Sequence, residues 1–159
     1  MPCEIRVLRA GDEAVLADVA PGVFDNAVDP GLTRAFLADR RHHIAVAIDA
    51  GVVVGFASGV DYVHPDKPAE MWINEVGVAP THQQRGLGRG ILGALLGVAE
   101  QLGCVNAWVL TDETNTAARA LYASLGGVEG AFYQGPSMIG FEFDLARTDG
   151  DDMLRAIER

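Results

Sequence analysis

Val76-Gly77-Val78-Ala79-Pro80-Thr81-His82-Gln83-Gln84-Arg85-Gly86-Leu87-Gly88-Arg89-Gly90 carries the chain from a β-rich run into its strongest helical pattern. Glycines at 86, 88 and 90 let backbone N–H groups turn inward with no Cβ in the way. The start of a helix adds partial positive charge, and Arg85 and Arg89 add full charges. Such a stretch is either an anion cradle that would fit a pyrophosphate or a Gly-rich turn that merely starts a helix; clustered arginines in an acidic chain favour the cradle. Gly88-Arg89-Gly90-Ile91-Leu92-Gly93 also spells G-x-G-x-x-G, with Asp112 about 20 residues further on, the spacing of a dinucleotide fingerprint. Context argues against that reading. The fingerprint needs its glycines in a tight turn directly after a strand, whereas Ala79 to Arg85 intervene, Gly93 falls inside the helix, and the upstream hairpins fit poorly.

Working outward, Ile91, Leu92, Leu95, Leu96, Ala99 and Leu102 form an apolar stripe that predicts a helix over Gly90 to Leu102, closed by Gly103. Upstream, Ile44–Ile48 and Val52–Ala57 read as antiparallel strands joined by Asp49-Ala50-Gly51. His64–Pro68 reads as a loop, and Met71–Val78 as a strand ending at Ala79-Pro80. Before these, Glu4–Leu8 reads as a strand. Helical spacing of Val15, Leu16 and Val19 follows before Pro21-Gly22, and a helix from Pro30 to Asp39 is capped by Asp29. Downstream, Val105–Leu110 is a strand, Asn115–Leu125 a helix ending at Gly126-Gly127, and Ala131–Leu145 a closing strand pair around Gly135-Pro136. Hairpins combined with βαβ crossovers predict an α/β (mixed α+β) fold, a mixed sheet with helices on both faces.

With 159 residues, 49% of them hydrophobic and 21% charged, the chain reads as a single globular domain, 1–159, with a polar tail from 147 in which Met153, Leu154 and Ile157 could dock a helical turn or two. Its net charge of −10 repels phosphate backbones, which argues against nucleic acid and for cationic partners. No apolar run reaches the about 20 residues of a membrane span, and Met1–Val7 lacks the order of a secretory signal, so a cytoplasmic protein is expected. Cys3 and Cys104 make no disulfide framework, and Cys104 reads as a buried thiol. His42, His43, His64 and His82 show no metal-ligand spacing, so loop or surface roles and no metal are expected. Trp72 and Trp108 are expected in the core, and Asp25, Asp29, Asp112, Glu113, Glu142 and Asp144 at cleft edges or in solvated loops.

Two segments together resemble the GCN5-related N-acetyltransferases (GNAT). Gln83-Gln84-Arg85-Gly86-Leu87-Gly88 is similar to that family's R/Q-x-x-G-x-G/A acetyl-CoA motif, preceded by a V-x-V-x-P strand end at Val76–Pro80. Asn115-Thr116-Ala117-Ala118-Arg119-Ala120-Leu121-Tyr122-Ala123-Ser124-Leu125-Gly126 is similar to its N-x-x-A-x-x-L-Y-x-x-x-G motif. Gly127 departs from the pattern, since the family usually has Phe after the last glycine.

The resemblance implies a three-layer fold whose mostly antiparallel sheet has a V-shaped splay between two parallel strands. In that wedge the pantetheine of acetyl-CoA would pair with the backbone of Val76 and Val78. The loop residues Gln83, Gln84, Arg85, Gly86, Gly88, Arg89 and Gly90 would bind the cofactor, with the amides from Gln84 to Gly90 holding its pyrophosphate. Asn115 would hydrogen-bond the pantetheine arm, and Ala118 would stay small for its approach. Tyr122 would be general acid to the leaving thiolate, the alternative being a core aromatic beside Leu121. Glu75 would accept the substrate's proton, usually through water, the alternatives being substrate positioning or simple exposure. With Asp112 and Asp144, Glu75 would also bind substrate. Length, the early helices, Glu75 and the closing strand Ile139–Asp144 most resemble short aminoglycoside 3-N-acetyltransferases. The expected partner is a cationic small-molecule amine, with a homodimer open. Transfer to a polyamine or a peptide or protein amine, and a non-catalytic acetyl-CoA-binding sensor, stay as alternatives.

Overall fold

The computed structural model describes residues 2–146; the 147–159 tail, with its predicted helical turn, lies outside the described residues. The described residues fall into two compact units, 2–60 with 73–98, and 61–72 with 99–146.

In the first unit the strands follow one another as β1 (Glu4–Val7), β2 (His42–Asp49), β3 (Val52–His64) and the C-terminal part of β4 (Lys67–Val78). β1, β2 and β3 pair antiparallel. The β2–β3 turn is tight because Ala50 and Gly51 both take positive φ, 49° and 81°, which suits the right-handed twist of a hairpin. Alternation along β3 aims neighbouring residues at opposite faces. Phe56 stacks on Phe24 with ring centroids 4.2 Å apart, while a Cβ at Gly55 would meet Ile91 of α2 (Leu87–Gln101) at 2.8 Å. The sheet of this unit is therefore covered on both sides, which explains the long apolar run of β3.

Three predicted elements differ. The early helical spacing yields only a short 3-10 turn, Glu13–Ala17, because the following backbone pairs with β3: Val53 N–H donates to Asp18 O and Ala20 N–H to Val53 O, both at 2.9 Å. β3 runs past Ala57 to His64, because Ser58, Gly59 and Val60 keep register with Ile44, His43 and His42. The proline loop thus shrinks to Pro65-Asp66, and β4 begins at Lys67. Helix α1 (Pro30–Ala38) forms as expected, with Asp29 Oδ1 accepting from Leu32 N–H at 2.8 Å.

In the second unit the N-terminal part of β4 is followed by β5 (Asn106–Asp112), β7 (Met138–Asp144) and β6 (Val128–Gln134). β4 and β5 are parallel, with a ladder from Glu70↔Asn106 to Trp72↔Trp108. β5, β7 and β6 pair antiparallel. Helix α3 (Thr116–Ser124) lays Tyr122 against Phe141 and Phe143, with ring centroids 5.3 and 6.4 Å away. Gly127 is explained here. A Cβ would stand 2.8 Å from Tyr122 O and 3.0 Å from the Phe143 ring, so Phe143 fills the space beside a position where the family usually has an aromatic.

Trp72 and Trp108 are only half-buried. Their ring centroids lie 3.9 Å apart, and Trp108 Nε1 donates to Tyr62 Oη, which donates to Glu70, so the pair sits beside a polar cluster rather than in the core. Leu102 is 45% exposed and falls outside the α2 stripe, since the helix has ended one residue before it. Cys104 is buried as expected, and burial pushes its thiol pKa up.

Candidate active site

Helix α2 starts at Leu87, three residues earlier than the periodicity predicts, so Gly88, Arg89 and Gly90 form its first turn. The chain enters through Gln84 and Gly86, both at positive φ, 61° and 75°. Among the described residues, the amides from Gln84 to Arg89 donate to no protein acceptor, and neither arginine makes an ion pair. Gly90 differs: its N–H is taken by Gly86 O at 3.2 Å. A Cβ at Gly86 would meet nothing within 4 Å, so the loop is open at that position. Unpaired amides at a helix N-terminus, with the guanidinium groups of Arg89 and of Arg85, whose charge also reaches Asp49, fit a pyrophosphate.

Sequence reasoning missed what holds this loop in place. His82, expected at the surface, is half-buried; its Nε2 meets Asp49 Oδ2 at 2.7 Å and its Nδ1 meets Thr81 Oγ1 at 2.8 Å. The hydrogen bond from His82 holds the Asp49 carboxyl below its usual range. The β2–β3 turn is thereby tied to the loop, a contact across 33 positions that local patterning cannot show.

On β4, Glu75 lies beside the Val76–Val78 backbone. The Val78 carbonyl already accepts from Gln83 Nε2 at 3.1 Å, so a pantetheine amide would have to replace that side chain there. Glu75 lines a cavity of about 320 Å³ with Phe24, Asp25, Leu32, Phe36 and Phe56 among its walls. Burial, and then the nearby charge of Asp25, push the Glu75 carboxyl above its usual range. Of these neighbours only Asp25 carried a signal in the sequence, as an acidic residue near an expected cleft.

In the second unit, Asn115 caps α3, its Oδ1 accepting from Ala118 N–H at 3.0 Å while its Nδ2 keeps its donors. Tyr122 is 5% exposed, and burial pushes its phenol pKa up to about 12. Asp112 accepts from Thr114 N–H and Oγ1 at 2.8 and 2.6 Å, which lowers its pKa, and Asp144 accepts from Ala146 N–H at 3.1 Å.

An open amide cradle at the head of α2 defines an anion-binding site on an α/β fold. The model of the "Acetyltransferase (GNAT) family" matches residues 16–127, and the chain belongs to that family. It is accordingly an N-acetyltransferase-family protein whose acyl donor is acetyl-CoA. The chain is 35% identical over 127 residues to the N-alpha-acetyltransferase RimI of Mycobacterium tuberculosis, covering 79% of this chain and 78% of that protein. It is 31% identical over 107 residues to the streptothricin acetyltransferase of Streptomyces lavendulae, covering 65% of this chain and 54% of that protein. The yncA protein of Salmonella typhimurium, solved with acetyl-CoA, has the same fold, with a TM-score of 0.71 at 24% identity over 94% of this chain and 98% of that one. No helix among the described residues is long and apolar enough to cross a membrane.

Proposed function

We propose that the protein moves acetyl from acetyl-CoA to a primary amine by direct attack, with Glu75 as base and Tyr122 as acid. The observation that carries this reading is the placement of Glu75, a carboxylate with a raised pKa in a largely apolar cavity, next to the strand backbone at Val76. Acetyl-CoA supplies an activated thioester when bound. The amides from Gln84 to Arg89, with Arg85 and Arg89, hold its pyrophosphate. Val76, Val78, Gln83, Asn115 and Ala118 serve the pantetheine arm, and Gly90 does not donate, its N–H being taken by Gly86 O.

Glu75 takes one proton from the ammonium, freeing the lone pair that forms the new C–N bond as the C–S bond breaks. Tyr122, still protonated at neutral pH, gives its proton to sulfur, and the second proton leaving nitrogen replaces it. Both compact units belong, in this proposal, to one acetyltransferase domain.

A cationic acceptor suits the net charge of −10. An aminoglycoside, with Asp112 and Asp144 as further contacts, and a peptide α-amine are the two acceptor classes to separate. Likeness to an N-alpha-acetyltransferase supports the peptide. The test is thiol release from acetyl-CoA with aminoglycosides, polyamines and peptides. Transfer to at least one amine is expected, and acetyl-CoA binding without transfer to any would leave a sensor instead.

A further inference from the structure

The acceptor's own chemistry is written in the walls around Glu75. Leu32, Phe36, Phe24, Phe56, Val28 and Ile44 line the cavity with apolar groups, and its volume of about 320 Å³ is at the lower end of the roughly 300–1,000 Å³ usual for ligand pockets. Leu32 is 72% exposed although it lines this cavity, so apolar surface stands uncovered at the rim. The carboxylates are few. Asp29 is engaged at the start of α1, where it caps Leu32 N–H and faces the positive end of the helix, which leaves Glu75 and Asp25 to meet a ligand. Two neighbouring carboxylates, the charge of Asp25 acting on Glu75, are suited to a single ammonium. A polycation carries several separated charges and hydroxyl groups, and these would lose water against Phe36 and Leu32 with nothing to replace it.

Resting on the acetyltransfer reading above, we infer that the pocket takes a singly charged primary amine with a bulky apolar group next to the nitrogen, and that Leu32 and Phe36 select it. The apolar group would displace water from the aromatic walls while the ammonium meets Glu75 and Asp25. The same chemistry could come from a free arylalkylamine or from a peptide beginning with a large apolar residue.

The experiment compares kcat/KM, from thiol release, within two pairs: 2-phenylethylamine against ethylamine, and a tripeptide beginning with Phe against one beginning with Gly. Spermidine and an aminoglycoside are assayed alongside. The apolar member of at least one pair should exceed its partner by about tenfold or more, as burying a large side chain implies. The pair with the larger ratio identifies the source. Leu32→Asp should lower that ratio at least threefold, and because Leu32 is mostly exposed the fold should survive, checked by an unchanged melting temperature. Ratios near one in both pairs, or faster transfer to the polycations, would overturn the inference while leaving acetyltransfer intact. Failure to acetylate any amine, with acetyl-CoA still bound, would overturn the acetyltransfer reading and this inference with it.

Discussion

Replacing Gly86 with valine separates the cradle's conformation from its function. Gly86 sits at φ +75°, where an L side chain costs about 1–2 kcal/mol, and a β-branched one lies at the upper end. A Cβ there meets nothing within 4 Å, so no clash adds to the strain. For a domain of this size, about 2 kcal/mol lowers the melting temperature by roughly 4–8 °C and leaves the chain folded. The isopropyl group would project into the open space beside the loop where the pyrophosphate is proposed to sit, and keep it from at least one of the amides of Gln84 to Arg89. A hydrogen bond to a charged group contributes about 1.5–3 kcal/mol, so acetyl-CoA affinity should fall roughly 10- to 150-fold. Gly103 supplies the control. It has φ +78° at the end of α2 and also meets nothing within 4 Å, so Gly103→Val should melt about as early yet bind acetyl-CoA normally. Calorimetric titration and thermal melts read both quantities. Equal affinity in the two variants would refute the placement of the pyrophosphate at this loop.

Tyr122→Phe keeps the contacts with Phe141 and Phe143, so it should fold normally and lose roughly 10²-fold or less in kcat with little change in acetyl-CoA affinity; full kcat in steady-state assays would make Tyr122 a packing residue. Because the Glu75 carboxyl is raised in the folded chain, the wild-type rate should fall as pH drops through that raised value, whereas Glu75→Gln should be slow and lose this step, partly recovering at high pH as free amine increases. The same shift carries a sign for stability: protonated Glu75 is the better tolerated form, so its contribution is present below the unfolded value and lost as pH rises through the folded one. Glu75→Gln should therefore gain in melting temperature over wild type at neutral pH, with the gain shrinking toward acid, and a gain that grows toward acid would contradict the shift. Gly127→Ala puts a Cβ 2.8 Å from a backbone carbonyl and 3.0 Å from the Phe143 ring, so denaturant titration should show a loss of about 1–3 kcal/mol.

Elements whose information is local were legible before any tertiary contact was known. Asp29 before Pro30, the Asp49-Ala50-Gly51 turn, the α2 stripe and Asn115 at the head of α3 each act within a few residues, through caps, positive φ and helical period. The cradle was legible for the same reason, since its donors are consecutive amides. Where distant partners compete, the outcome followed from long-range contacts. The early helical pattern gave way to hydrogen bonds with Val53, Ser58 and Gly59 stayed in a strand because β2 pairs with them, and Trp108 found Tyr62 and Trp72 rather than a core. His82 gained its role from Asp49, and Glu75 its raised pKa from burial and Asp25. Gly127, an irregularity in the sequence, became a fitted contact once Phe143 stood beside it. These outcomes depend on groups far apart in sequence, whose proximity no local period or spacing records.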